Sequence, residues 1–393
     1  MAATTSTRAS STRGPTPVAV LAAVVGVLCL IGLVMVLSAS SVLALREYGT
    51  SWLFFGRHVL WLVIGVAVLV FTARFDYHRW RRLSVPMLLG ALVLLGLVLV
   101  PGVGITVGGS TRWLGTSSWR IQPSELAKLA VLVFVADHLA RAGRGSVDRL
   151  AVRVVLGVFA VAGLLVMRQP DMGTTLVIGC IVLALLYIAG TPLRSMAALG
   201  VGAVGVAMVV GMAEPYRRAR MVSFLNPWAD AGNSGYQVVQ SLVGLGSGQW
   251  SGVGVGASRA KWGFLPNAHT DFIFAIIGEE LGLIGTLFVL ALFIGFAVLG
   301  VRTALRAPDR FGMLLAAGIT AWVIAQAFIN IGAVIGVAPV TGVPLPFVSF
   351  GGSSLVILLA AVGMLLNVAA QERREGVATA ATARERRSTH ARR

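Results

Sequence analysis

Long apolar runs separated by short polar segments fill most of the chain. Many of these runs approach the roughly 20 residues with which a helix crosses about 30 Å of hydrocarbon. A helix also satisfies its own backbone hydrogen bonds, which lipid cannot do. Breaks at charged residues, glycine and proline therefore predict ten membrane-spanning helices, at residues 18–38, 58–73, 84–100, 124–140, 151–167, 174–190, 195–212, 271–300, 311–335 and 351–369.

The composition supports a membrane protein. Of the 393 residues, 57% are hydrophobic and 12% are charged, whereas about a quarter of the residues in a soluble domain are charged. The formal net charge is +17, but the arginines lie mostly in short loops and tails, where anionic lipid and membrane topology account for them. We therefore expect no nucleic acid among its partners.

The arginine-rich loops predict the orientation in the membrane. They follow the second, fourth, sixth and eighth spans. Because such loops stay in the cytoplasm, both termini are predicted to be cytoplasmic, and residues 101–122 and 213–270 are predicted to lie outside. The N-terminal tail (1–16) and the basic C-terminal tail (371–393) are too polar to pack a core, so both are predicted to be disordered. The membrane domain is expected at residues 17–370.

Two charged residues lie within the fourth span. Glu125 and Lys128 are three positions apart, so they share one face of a helix. An isolated charge in the middle of a span costs ~3 kcal/mol on insertion scales. The two residues are therefore either a mutually neutralising pair that lets the helix insert, or a carboxylate and an ammonium that face a site at the membrane boundary.

Acidic residues also mark the eighth span. Asp271 is expected in its first turn, with Glu279 and Glu280 two turns deeper. Either Asp271 is a helix N-terminal acid, worth ~0.3–1 kcal/mol through the helix dipole, or Thr270 caps the helix and leaves Asp271 for chemistry. The adjacent glutamates point to different sides, so at least one must face a cavity, a partner charge or water.

The predicted outer segments contain basic residues, although basic residues normally stay on the cytoplasmic side. They are Arg112 in the shorter segment and, in the longer one, Arg217, Arg218, Arg220, Arg259 and Lys261. Anionic headgroups could attract these residues, but guanidinium groups also match phosphate oxygens in bidentate geometry. We favour the binding of a lipid that carries a pyrophosphate.

Other chemistries find little support in the sequence. The five histidines do not assemble a metal site by their spacing, and the sequence contains no nucleophile elbow, Cys–His pairing or nucleotide-binding loop. A carboxylate flanked by outer cations in a lipid-facing fold suits group transfer from a lipid pyrophosphate.

Four longer motifs narrow the interpretation: GGSTRWLGTSSWRIQPSELAKLA, RQPDMGTT, IIGEELG and the C-terminal signature NIGAVIGVAPVTGVPLPFVSFGGSS at residues 330–354. Together they resemble the SEDS family (shape, elongation, division and sporulation) across residues 17–370. The signature residues that match the family pattern are Pro339, Gly342, Pro344, Pro346, Ser349, Gly351, Gly352 and Ser353. The resemblance implies an all-α polytopic membrane fold that is GT-C-like, as in transferases that use lipid-linked sugars.

The resemblance also implies an inverting peptidoglycan glycosyltransferase at the outer face of the bacterial cytoplasmic membrane. Such an enzyme polymerises the lipid-linked disaccharide lipid II and releases undecaprenyl pyrophosphate. Asp271 matches the family's essential aspartate. The expected substrate-binding positions are Arg112 and Trp113 of the RWL motif, Glu125, Lys128, Arg217 and Arg220, with Lys261 as a further cation for the pyrophosphate.

The expected partners are a class B penicillin-binding protein and other division proteins at the septum. A divalent cation, Mg²⁺ or Mn²⁺, could assist, although no spacing in the sequence demands one. IIGEELG and NIGAVIG favour a division member of the family, whereas GVPLPFVSF is closer to the elongation members. Two alternatives stay open: a flippase that moves lipid II past Glu279, Glu280 and residues 339–346, and a scaffold for division proteins.

Overall fold

The computed structural model describes residues 16–107, 109–116, 119–142, 148–213, 218 and 224–390. Its main helices are α1 (Pro17–Tyr48), α2 (Leu53–Arg74), α3 (Tyr77–Val98), α4 (Pro123–Arg141), α5 (Arg149–Arg168), α6 (Met172–Ile188), α7 (Leu193–Ala213), α8 (Tyr236–Ser247), α9 (Ile273–Leu305), α10 (Arg310–Val334) and α11 (Ser353–His390). Its strands are β1 (Ile105–Val107), β2 (Ser110–Gly115) and β3 (Arg120–Ile121).

All ten predicted spans fall on helices, namely α1 to α7 and α9 to α11. Seven of these helices, in the part of the chain that the structure describes, are long and apolar enough to cross a membrane: α1, α2, α3, α5, α9, α10 and α11 as far as Gln371. Helix α6 is apolar but shorter, and α4 carries the predicted charged pair. The total of ten spans stays a prediction.

Several helices extend beyond the apolar runs that predicted them. Helix α1 continues to Tyr48 and α3 begins at Tyr77, where Asp76 caps it by accepting a hydrogen bond from the His78 N–H. Hydropathy marks only the part of a helix that lies in hydrocarbon, and polar residues prolong the helix into the headgroup region.

Of the two predicted tails, the structure describes most of the C-terminal one and only the last residue of the N-terminal one. Helix α11 continues to His390, through most of the segment 371–393 for which the sequence predicts disorder. Alanine, arginine and glutamate, which recur in that segment, are strong helix formers and account for the helical backbone. The predicted N-terminal tail lies outside the described residues except for Thr16.

Helices α4, α10 and α11 form the centre of the bundle. In their most apolar stretches, 72% of the residues of α10 and 78% of those of α11 are buried, against 11% in α2. Helix α4 is buried along most of its length, including both charged residues of the predicted pair. The central helices are therefore shielded by other helices, which allows them to carry polar groups that lipid would exclude.

A small antiparallel sheet forms in the shorter predicted outer segment, where the sequence predicted no strands. Its order is β1-β2-β3, with Ile105 opposite Trp113 and Leu114 opposite Ile121. Just after β3, the Gln122 N–H donates to Ser353 Oγ over 3.1 Å. This bond anchors the sheet to the start of α11.

Helix α9 is interrupted at Gly282, whose φ of 66° and ψ of −164° are not helical. Residues 248–254, called the strap here, replace the broken helical hydrogen bonds. The N–H groups of Val253 and Gly254 donate to the carbonyls of Glu279 and Glu280, and the N–H groups of Leu283 and Ile284 donate to the carbonyls of Gln249 and Trp250. The short first part of α9 is therefore held at its far end by the longer of the two predicted outer segments.

Two glycines of the strap test how much the close packing of the strap on α9 contributes to the stability of the protein. Gly252 and Gly254 both have positive φ, 79° and 103°, but only at Gly252 would a Cβ collide with the Glu280 carbonyl. We expect Gly254→Ala to lose only the ~1–2 kcal/mol that left-handed backbone costs. Gly252→Ala should lose that amount and a further ~1–3 kcal/mol through steric strain. Thermal unfolding in detergent should therefore show the lower midpoint for Gly252→Ala, and equal midpoints would contradict the role of the strap in holding α9.

Candidate active site

Asp271 lies in a turn immediately before α9, not in the first turn of that helix as the sequence predicted. The helix begins at Ile273 and Phe272 occupies the cap position without a side-chain hydrogen bond. The Thr270 hydroxyl donates to the Asn267 carbonyl over 3.1 Å, so it does not cap α9 either. Asp271 is partly exposed, and its position outside the helix weakens its interpretation as a stabilising N-terminal acid.

Residues 269–271, called the Asp271 turn here, are held in place by hydrogen bonds to their three consecutive backbone carbonyls. The Phe350 N–H donates to the His269 carbonyl over 3.0 Å. The Ser349 hydroxyl donates to the Thr270 carbonyl over 2.6 Å, and Asn330 Nδ2 donates to the Asp271 carbonyl over 2.7 Å. All three donors belong to the C-terminal signature, which explains why that motif accompanies the aspartate.

The signature loop, defined as residues 335–352, also passes beside the Asp271 carboxylate. Gly342 has a φ of 74°, and a Cβ added there would lie 3.5 Å from Asp271 Oδ2. Glycine adopts this left-handed backbone without steric cost. A side chain at this position would strain the loop beside the carboxylate.

His269 packs against two aromatic rings and contributes no charge to the Asp271 turn. Its ring centroid lies 4.9 Å from that of Phe54 and 5.7 Å from that of Phe350. Burial lowers the pKa of His269 to about 4, because desolvation disfavours the imidazolium. The side chain is therefore neutral at neutral pH and gives the neighbouring Asp271 no positive charge.

Glu125 and Lys128 form a buried ion pair, with 2.8 Å between Lys128 Nζ and Glu125 Oε2. The two residues are only 3% and 1% exposed. Lys128 Nζ also donates to Gln326 Oε1 over 3.0 Å and lies 5.2 Å from the centroid of the Trp322 ring. Gln326 in turn donates to the Pro344 carbonyl over 3.0 Å. The pair is thus linked to the signature loop through a single side chain.

Arg112 and Asp171 form a second polar cluster. Asp171 caps α6 by accepting a 3.1 Å hydrogen bond from the Thr174 N–H, and its Oδ1 lies 3.8 Å from Arg112 Nη1. Arg112 Nε donates to the Gln169 carbonyl over 3.0 Å. Nearby Gly173 packs so closely on the signature loop that a Cβ would lie 2.8 Å from the Thr341 carbonyl.

Residues 341–345 therefore lie close to three polar groups, each of which includes a residue that the sequence singled out. Asp271 lies beside Gly342, the Glu125–Lys128 pair reaches Pro344 through Gln326, and Gly173, two residues after Asp171, packs against Thr341. Trp113, the next residue after Arg112, is half-buried on β2. The structure brings these predicted site residues to one region of the protein.

Lys261 does not join this group. Its ammonium lies 3.5 Å from Glu280 Oε1 and donates to Ser38 Oγ over 3.3 Å. Its side chain is 5% exposed, so it ties its own segment to α1 and α9 instead of offering an open cation. Neighbouring Glu279 accepts hydrogen bonds from the Ser258 hydroxyl and the Arg259 N–H, and both glutamates are therefore engaged within the protein.

Two further predicted residues, Arg217 and Arg220, lie outside the described residues. Within the described ranges, no group of three or more histidine, cysteine, aspartate or glutamate residues could hold a metal ion. The expectation of a divalent cation stays a prediction.

Three residues of α10 near the site were not predicted from the sequence: Trp322, Gln326 and Asn330. They recur every four positions along the helix and so share one of its faces. A polar stripe within an apolar span was the signal that could have found them, because polar side chains inside a membrane bundle need partners.

The chain matches the sequence model of a known protein family. The model of the cell cycle proteins FtsW, RodA and SpoVE covers residues 18–374. The chain belongs to this family. The SEDS resemblance predicted from the motifs is thereby confirmed.

Named members of the FtsW, RodA and SpoVE family are similar over most of their length. A probable peptidoglycan glycosyltransferase FtsW from Geobacter metallireducens is 40% identical over 338 residues, covering 86% of this chain and 90% of that protein. Stage V sporulation protein E of Bacillus subtilis is 42% identical over 368 residues, covering 92% and 100%.

Solved structures of related proteins share the fold. One is a chain described in work on how a peptidoglycan synthase complex coordinates polymerization and crosslinking, with a TM-score of 0.73 and 27% identity over 90% of this chain and 97% of that one. Another is the rod shape determining protein RodA of Thermus thermophilus, with a TM-score of 0.67 and 25% identity over 90% and 96%. The predicted polytopic helical fold is confirmed, with the small three-stranded sheet as an addition.

The buried ion pair gives a test of its energetic role. Lys128→Met leaves the Glu125 carboxylate buried without its cation, which typically costs ~3–5 kcal/mol. Adding Glu125→Gln removes the uncompensated charge, so the double variant should unfold at a higher temperature than Lys128→Met alone. Thermal unfolding in detergent measures both variants, and a double variant less stable than the single one would contradict the pairing.

Proposed function

We propose that this protein polymerises lipid II into glycan strands at the outer face of the cytoplasmic membrane. The observation that carries the proposal is the Asp271 turn, a partly exposed carboxylate whose backbone is fixed by three hydrogen bonds at the end of a helix bundle. The 40% identity to a probable peptidoglycan glycosyltransferase supports the same activity.

In the proposed reaction, one lipid II donates its disaccharide to another. The 4-hydroxyl of the acceptor's N-acetylglucosamine attacks the anomeric carbon of the donor's N-acetylmuramic acid from the side opposite the pyrophosphate. The new carbon–oxygen bond forms as the bond to the pyrophosphate breaks, which inverts the anomeric carbon. Asp271 accepts the hydroxyl proton as general base, a role typically worth ~100- to 10,000-fold.

The departing undecaprenyl pyrophosphate carries away the bonding electrons and needs positive charge nearby. We assign that work to Arg217 and Arg220, because guanidinium groups match phosphate oxygens in two-point geometry. Stabilising the charge that develops in the transition state is often the largest catalytic contribution. A divalent cation would supply the same kind of stabilisation.

Lys128 and Arg112 take a different role in this proposal. Lys128 is 1% exposed and already bonded to Glu125 and Gln326, so it supports the signature loop. Arg112 forms an ion pair with Asp171 and donates to the Gln169 carbonyl, so it fixes the start of α6. We assign Trp113 and the exposed edge of this cluster to the acceptor sugar.

We further propose a class B penicillin-binding protein as partner and the division septum as the site of action. The similar chain in a peptidoglycan synthase complex, where polymerization and crosslinking are coordinated, supports such a partner. The similarity to proteins named FtsW supports the septal role. A flippase is less favoured, because Glu279 Oε1 and Glu280 Oε1 both accept hydrogen bonds from backbone N–H groups of the outer loop.

Asp271→Asn tests the proposed role directly. The amide keeps the size of the side chain but cannot take a proton, so polymerisation should fall by a factor of at least ~100. The measurement is the gel-resolved glycan made from lipid II by the purified protein. Thermal stability and lipid II binding should stay near those of the wild type.

Asp230→Asn is the matched control. Asp230 lies in the same outer loop and accepts hydrogen bonds from Asn233 and Ser234, away from the signature loop. Its variant should make glycan at close to the normal rate. Normal polymer from Asp271→Asn, or equal losses in both variants, would remove Asp271 from the mechanism.

A further inference from the structure

We infer that Asn330 is a positioning residue that sets the direction of the Asp271 carboxylate. This inference rests on the proposed function, in which Asp271 is the general base. Asn330 touches the backbone of that residue and does not need to touch substrate. Its side chain lies on α10, one of the three central helices of the bundle.

The Asn330 amide holds two backbone carbonyls at once. Its Nδ2 donates to the Asp271 carbonyl over 2.7 Å and to the Val343 carbonyl over 2.8 Å. Both N–H bonds of the amide are thereby used, and this fixes which end of the side chain carries the nitrogen. The residue is 2% exposed, so water does not compete for these bonds.

These two bonds tie the Asp271 turn to the signature loop at the point where the loop passes the carboxylate. Val343 follows Gly342, whose backbone lies beside Asp271 Oδ2. One turn earlier on α10, Gln326 holds the next loop residue through the Pro344 carbonyl. The loop and the turn therefore share one rigid support, and neither can shift without breaking a buried hydrogen bond.

Fixing the Asp271 carbonyl restricts the backbone angles of that residue and hence the direction of its side chain. A general base must lie within hydrogen-bond reach of the proton that it removes. A displacement of about 1 Å in such a group can cost ~100-fold in rate. Loss of Asn330 should consequently lower kcat, whereas KM should change little, because the Asn330 side chain is buried and bonded to backbone carbonyls.

Asn367 provides a matched control on the other side of the bundle. Its Nδ2 donates to the Ala73 carbonyl over 2.7 Å, its Oδ1 accepts from the Tyr77 N–H over 3.0 Å, and it is 7% exposed. It is the same residue type and makes the same kind of bond, but at the ends of α2 and α3 rather than near Asp271.

The experiment compares Asn330→Ala with Asn367→Ala in purified protein, using lipid II as substrate. Both variants should unfold at lower temperature than the wild type by similar amounts. Asn330→Ala should lose about 100-fold in kcat with KM within about threefold of the wild-type value, because it misdirects the base without removing substrate contacts. Asn367→Ala should keep kcat within about threefold of the wild type.

Equal kcat values for the two variants, or a loss that appears only in KM, would overturn the inference. If Asn330→Ala does not fold, Asn330→Asp preserves the side-chain volume and replaces the donating nitrogen by an oxygen, so the same loss of kcat is expected. Normal kcat in Asn330→Asp would likewise overturn it. If the wild type polymerises lipid II and Asp271→Asn does not, normal kcat in the Asn330 variants overturns this inference alone. A wild type that makes no glycan contradicts the proposed function itself.

Discussion

Non-helical backbone inside a membrane bundle must have every buried polar group satisfied by protein, because lipid offers no hydrogen bonds. The signature loop meets this requirement in two ways. Its prolines at 339, 344 and 346 have no N–H to satisfy. Its carbonyls at Val343 and Pro344 accept bonds from the side-chain amides of Asn330 and Gln326. The polar stripe on α10 is therefore the support on which the loop depends.

That support also explains how a partly exposed carboxylate is kept in one place. The loop donates to the carbonyls of His269 and Thr270, and Asn330 donates to that of Asp271. At the far end of the short first part of α9, the strap bonds to Glu279 and Glu280. A catalytic group gains from such preorganisation, because the geometry of attack is then set before substrate binds.

Much of the helical framework could be predicted from the sequence, because apolar length is a direct consequence of membrane thickness. The Glu125–Lys128 pair could also be predicted, because a spacing of three places both residues on one helical face. The orientation of the Lys261 side chain could not be predicted from the sequence. A lysine in an outer loop can face substrate or turn inward to a buried carboxylate, and only the fold brings Glu280 and Ser38 within its reach.

The polar stripe on α10 and the small sheet are not predicted from the sequence, for related reasons. Gln326 and Asn330 are uncharged, so a search for charges within spans passes over them, although their amides carry the main tertiary bonds of the site. The strands β1 and β3 have three and two residues, too short for a period of two to appear. Local sequence does not record such long-range pairings.

The central claim is that the chain makes glycan rather than moving its precursor. The most direct measurement places purified protein in vesicles that carry lipid II on the accessible leaflet, and follows both polymer on a gel and transfer of lipid II between leaflets. We predict glycan strands from the accessible lipid II without any need for transfer. Transfer of lipid II between leaflets with no polymer formed would contradict the claim.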